Sequence, residues 1–176
     1  MSALSWEDLF VDARHLDFGA LLAEWGGLVG GPIRPIGASV FGDLFFERRT
    51  GEVEKLDVLE GGVHRVAATF DEFTTLMNSV EWQTHNLLSE GVALLKERGV
   101  TRNTGQFFGF APHPVLAGKI VWSSVMPLDF VVWKYPSGQL TLNDRKPAAR
   151  MVSTKQVRWT PCQKPIPAVA GVTTLS

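Results

Sequence analysis

Two pairs of carboxylates are spaced as acid–base chemistry would need them. Glu52 and Glu54 are two positions apart, and Asp43 and Glu47 are four apart. On a strand, an even spacing puts both side chains on one face. Two carboxylates sharing a face can pass a proton to and from a substrate. The same spacing also makes the solvated face of a hairpin, and that is the preferred reading. The four histidines, His15, His64, His85 and His113, are widely separated, and none adjoins the single cysteine, Cys162. A metal site needs converging ligands, so no metal is expected. Cys162 lies among Pro161, Pro165 and Pro167, a poor place to hold a nucleophile, and the chain has no Gly-x-Ser-x-Gly elbow. The glycine-rich run at 26–31 lacks the Lys-Ser/Thr that completes a phosphate loop, so a connection is expected there. No catalytic residue and no cofactor are expected, and the chain is not expected to be an enzyme.

The elements that must position these residues start with a hairpin. Val40 to Arg48 reads as one apolar strand, Thr50-Gly51 as the reversal, and Val53 to Leu59 as the returning strand. Gly61-Gly62 then turns the chain into a third strand over about Val63–Ala67. Before this meander, Ser5 with Asp8 starts a short helix. Phe18, Leu21, Leu22 and Trp25 recur at helical spacing. The segment around Pro32 and Pro35 reads as a loop or irregular edge. After the meander, Thr69 and Glu72 form a capping box that predicts a helix over about 70–78. A second helix is predicted from about Val80 to Arg98, ended by Gly99 and weakened in the middle by Gly91. Beyond it, Gln106–Phe110, Lys119–Ser123 and Leu128–Tyr135 read as strands, with an extended bend at Ala111–Pro114. The order implies an α+β fold, a mostly antiparallel sheet with a β-meander at about residues 40–67 packed with helices. The expected organisation is a helical stub over 1–19, one α+β domain over 20–160, and a Pro-containing tail over 161–176.

The 176 residues are 45% hydrophobic and 10% aromatic, which excludes a disordered chain. One cysteine allows no internal disulfide and fits a reducing compartment. No basic start followed by an apolar run marks a secretory signal, and no apolar run is long enough to span a membrane, so a cytoplasmic protein is expected. The net charge of −1 hides an asymmetry. Residues 1–72 carry 13 acidic and 6 basic side chains, whereas residues 73–176 carry 5 and 11. Arg145, Lys146, Arg150, Lys155, Arg158 and Lys164 follow Asp144 with no intervening acid. Such halves can attract charged partners, and the basic stretch has the charge for phosphate contacts. The aromatics Phe41, Phe45, Phe46, Phe107, Phe108, Phe110, Trp122 and Trp133 sit mostly among acids, so core packing is preferred over stacking on bases.

Several segments together carry a resemblance. They are Ala38–Phe46, Gly51-Glu52-Val53, Leu56-Asp57-Val58, Asp71-Glu72-Phe73, Gly105–Gly118 and Pro127–Val132, with the Trp25 helix before them and Gly138-Gln139-Leu140 after. This pattern, from about residue 20 to 147, resembles the C-terminal domain of immunity proteins that protect bacteria from type VI secretion DNase effectors. The resemblance implies a binding protein that neutralises a cognate antibacterial toxin, a DNase, by protein–protein contact. DNases bind polyphosphate and commonly present a basic cleft. The acidic hairpin residues Glu47, Glu52, Glu54, Asp57 and Glu60 are therefore the expected toxin-binding surface. No membrane partner and no nucleic acid are expected. The alternative is a module that binds nucleic acid or another anionic partner through the basic stretch Arg145–Lys164.

Overall fold

The computed structural model describes residues 4–23, 25 and 27–130. The expected strands at 128–135, beyond Phe130, the Pro-containing tail, Trp133, Cys162 and the basic stretch Arg145–Lys164 lie outside the described residues. Within them the fold is α+β. A five-stranded antiparallel sheet runs in the order β1 (Phe10–Asp12), β2 (Ile33–Ser39), β3 (Leu44–Arg48), β4 (Val53–Asp57) and β5 (Gly62–Ala67). A second, two-stranded sheet pairs β6 (Gln106–Phe110) with β7 (Val125–Asp129). The helices are α1 (Trp6–Leu9), α2 (Phe18–Ala23), α3 (Phe70–Leu76), α4 (Val80–Leu87), α5 (Ser89–Glu97) and α6 (Pro114–Ala117).

The five-stranded sheet is covered on both faces. Leu44, Phe45 and Phe46 are consecutive, so they point alternately to opposite faces, yet none is exposed at all. Phe45 joins Val53, Phe73, Leu87, Val92 and Leu95 in one core. Leu44 and Phe46 join Phe18, Leu21, Trp25, Leu56 and Phe107 in another. The first core is layered by aromatic rings: Phe73 lies 5.7 Å from both Phe45 and Trp82. Phe107 and Phe108 divide between the two cores in the same way. The second sheet is tied to the first where the Phe108 amide donates to the Val40 carbonyl at 2.8 Å.

Local chemistry explains the helix starts. The Ser5 hydroxyl accepts the Asp8 amide at 3.3 Å while Asp8 accepts the Ser5 amide at 2.7 Å. The Thr69 hydroxyl accepts the Glu72 amide at 3.1 Å. Glu72 reaches one residue further back than the usual reciprocal bond, accepting from the Ala68 amide at 2.6 Å.

Five elements differ from the sequence reading. The run from Val40 is not strand throughout: residues 40–43 are the turn between β2 and β3. There Gly42 adopts a φ of 94° and donates to the Ser39 carbonyl. The Pro-containing segment is strand β2, not a loop. Pro35 is tolerated because β1 covers only Gly37–Ser39, so the missing donor lies beyond the end of β1, beside a register shift between Pro35 and Gly37. The N-terminal stretch adds a sheet strand, β1, to its expected helix. Leu88, at φ 53°, separates α4 from α5 where one helix was expected. In addition, residues 122–124 form a 3-10 turn leading into β7, in place of a strand over 119–123.

Candidate functional site

The hairpin β3–β4 and its flanking strands hold the five carboxylates expected to face a partner. Strand alternation splits them. Glu47 and Asp57 share the face of Phe45, whereas Glu54, opposite Phe46, is on the other. Glu52 belongs to the β3–β4 turn and Glu60 to the β4–β5 turn, at opposite ends of the hairpin. They do not form one anionic patch, because a basic side chain stands beside every one. Glu47 is cross-strand from Arg34 and bonds its guanidinium. Glu54 meets Arg48 at 2.7 Å, and Asp57 meets Lys55 at 2.9 Å. Glu52 meets Arg65 at 2.8 Å, and Glu60 lies 3.7 Å from His64. The Arg65 contact, with help from the Thr50 hydroxyl, holds the Glu52 carboxyl below its usual range. Arg34 also lies over the Phe70 ring and Arg48 over the Phe46 ring, which fixes both guanidinium planes.

Behind this surface is a buried polar cluster. Ser39 and Asp43 flank the β2–β3 turn, and Lys55 and Asp57 lie on β4. Ser39 is fully buried and Asp43 is 5% exposed. The Ser39 hydroxyl accepts the Asp43 amide at 3.0 Å and donates to the Asp43 carboxylate at 3.3 Å. The other Asp43 oxygen accepts the Val58 amide at 3.0 Å. Burial, reinforced by the neighbouring Asp57 charge, pushes Asp43 up to about 7, against the pull of Lys55, the Val58 amide and Ser39. Lys55 is itself buried, which lowers its pKa, but the Asp43 and Asp57 carboxylates outweigh this and leave it raised. Asp57 also accepts the Leu59 and Glu60 amides at 3.0 and 2.9 Å, closing the β4–β5 turn. The cluster thus locks the β2–β3 turn to the β4–β5 turn.

A depression of about 550 Å³ opens beside it, lined by Lys55, Asp57, Glu60, His64, Trp82 and His85 among others. His85 Nδ1 lies 2.8 Å from the Glu81 carbonyl, so donation through Nδ1 leaves Nε2 to face other groups. Among the described residues, no three His, Cys, Asp or Glu side chains converge as a metal would require. Of the carboxylate pairs in the sequence, Asp43 and Glu47 separate into a buried group and a surface ion pair. Glu52 and Glu54 separate into a turn and a strand. Sequence reasoning passed over Ser39 and Arg34, and treated Lys55 only as a charge diluting the acidic hairpin. The available signal was a charged residue interrupting each apolar stretch, Asp43 before Leu44-Phe45-Phe46 and Lys55 before Leu56. Compared with known proteins, the chain matches no family model and no curated sequence. Among the described residues, no helix is long and apolar enough to cross a membrane.

Proposed function

We propose that this protein is an immunity protein that binds and neutralises a type VI secretion antibacterial toxin, a DNase, in the cytoplasm of the cell that makes it. The resemblance over residues 20–147 supports this reading. The observation that carries it is the ion-paired lattice on β2–β5. Glu47, Glu54 and Asp57 are held by Arg34, Arg48 and Lys55, while Glu52 and Glu60 sit beside Arg65 and His64 at more exposed positions. A surface whose charged side chains are already immobilised loses less entropy on association. Charge patterning of this kind sets encounter rate and partner choice more than raw affinity. Glu60 and Glu52 are the more exposed acids, at 60% and 37% of the side chain. They are free to exchange an internal partner for a cation on a basic DNase cleft.

The test is co-expression with the secreted effector from the adjoining reading frame, followed by calorimetric titration against a catalytically inactive form of that effector. The chain restores growth and binds the effector. Glu52→Lys with Glu60→Lys weakens binding by roughly tenfold, chiefly through slower association, and flattens its salt dependence. Unchanged affinity in the double variant removes the hairpin from the interface. Absence of both rescue and binding sinks the reading itself. A gel shift on duplex DNA separates the nucleic-acid alternative.

A further inference from the structure

A groove of about 1080 Å³ is lined by the N-terminal segment, β2, α3 and the loop after α5. On one wall the Trp6 indole is 41% exposed and stacks on Phe10 with ring centroids 5.2 Å apart. Tryptophan is enriched, with tyrosine and arginine, among the side chains that anchor protein interfaces. Most cations lining the groove have partners. Arg14 meets Asp12 at 3.0 Å, Lys96 meets Asp8 at 2.7 Å, and Arg34 meets Glu47. Arg102 is the exception among the groove's described arginines and lysines. Its guanidinium donates to the Glu7 carbonyl at 2.8 Å and to the Gln106 carbonyl at 3.4 Å. No carboxylate of a described residue lies within ion-pair distance of it. Asp8 acts on it from further away, already bonded to Lys96.

This matters because Arg102 is partly buried, and burial pulls its pKa down. A guanidinium has five donors in a planar fork, and backbone carbonyls occupy two of them. Glu7, also on the groove wall, is exposed, so its charge is stabilised by water. The half-buried cation gains most from an incoming counter-charge, since a charge-assisted bond to a carboxylate is about twice as strong as a neutral one. We propose that the groove docks an acidic segment of the partner protein, with Arg102 receiving an Asp or Glu carboxylate and Trp6 covering the apolar side chain beside it. The inference rests on the toxin-binding reading and names a second contact surface for the same partner.

The test titrates the full-length chain against the inactive effector. Trp6→Ala removes the anchor and Arg102→Gln removes the charge. Thr104→Glu, at an exposed position on the groove wall, supplies a competing carboxylate without touching the core. Each variant binds roughly tenfold or more weakly, and Thr104→Glu keeps the parent melting temperature. Parent affinity in both Trp6→Ala and Thr104→Glu overturns the groove while leaving the toxin-binding reading intact. No binding by the parent chain overturns that reading instead. Concentration-dependent dimerisation abolished by Trp6→Ala gives the groove to a second copy of this chain and also overturns the proposal.

Discussion

Asp43 is a carboxyl group placed where its proton, not its charge, is favoured. It is raised from 3.8 to about 7 by burial and by Asp57. Between these two values the folded chain holds a proton that the unfolded chain releases. Stability from this group is therefore full below about 3.8 and is lost as pH rises through about 7. Asp43→Asn keeps an oxygen for the Val58 amide and fixes the neutral form. Melting curves from pH 4 to 8 are expected to converge at the acid end, with the parent losing stability relative to the variant as pH rises. Parallel curves across that window would show that Asp43 does not titrate with folding. The partners of Glu47 and Glu52 were not legible in the sequence for a related reason. The apolar alternation that revealed the strands is local, but the arginines that Glu47 and Glu52 meet depend on register. Arg34 reaches Glu47 because β2 pairs with β3, and Arg65 reaches Glu52 across the β4–β5 side. Glu47 and Glu52 are therefore each balanced by an arginine 13 positions away, one before and one after.

At the scale of elements, legibility followed how short-range the deciding contact is. The Ser5 and Thr69 caps are settled within a few residues, and both were readable. Strand β1 forms only because β2 lies beside it, and three residues carry no periodicity of their own. The break at Leu88 has a similar origin. Leucine favours helix, but at this position it adopts a left-handed φ while packing against the first core. Gly91, which reads as a weak point in a helix, is instead a contact requirement. It is buried in α5, and a Cβ there would overlap the Trp122 indole. That indole cannot easily move, because Phe41 and Phe110 lie 5.9 and 5.8 Å from it. Gly91→Ala should therefore destabilise by about 1–3 kcal/mol through overpacking, although alanine is the better helix former. Denaturation of Gly91→Ala, Trp122→Leu and the double variant checks this. The double variant should be more stable than the two single effects added together, because the smaller side chain makes room for the methyl group. Additive effects would mean the helix and the indole are not in contact.

For the described part of the molecule, the sheet is a shared wall. Leu44 and Phe46 serve one core while Phe45 serves the other, so neither core can open without disturbing the strand that the other needs. Small domains with such sharing are expected to unfold in one step. The tryptophans allow a direct check, since Trp25 is buried in one core while Trp82 and Trp122 pack against the other. Variants that keep Trp25 as the reporter on one side, or Trp82 on the other, with the remaining tryptophans replaced by phenylalanine, should give denaturation midpoints that coincide. Phe45→Ala leaves a cavity where the Phe73 and Trp82 rings now pack, 5.7 and 6.0 Å away. It should cost about 3–5 kcal/mol. Because the two cores share β3, the loss should lower the midpoint seen by Trp25 as much as that seen by Trp82. A Trp25 signal that stays at its parent midpoint while the Trp82 signal shifts would show that the two faces unfold separately, and that strand β3 does not couple them.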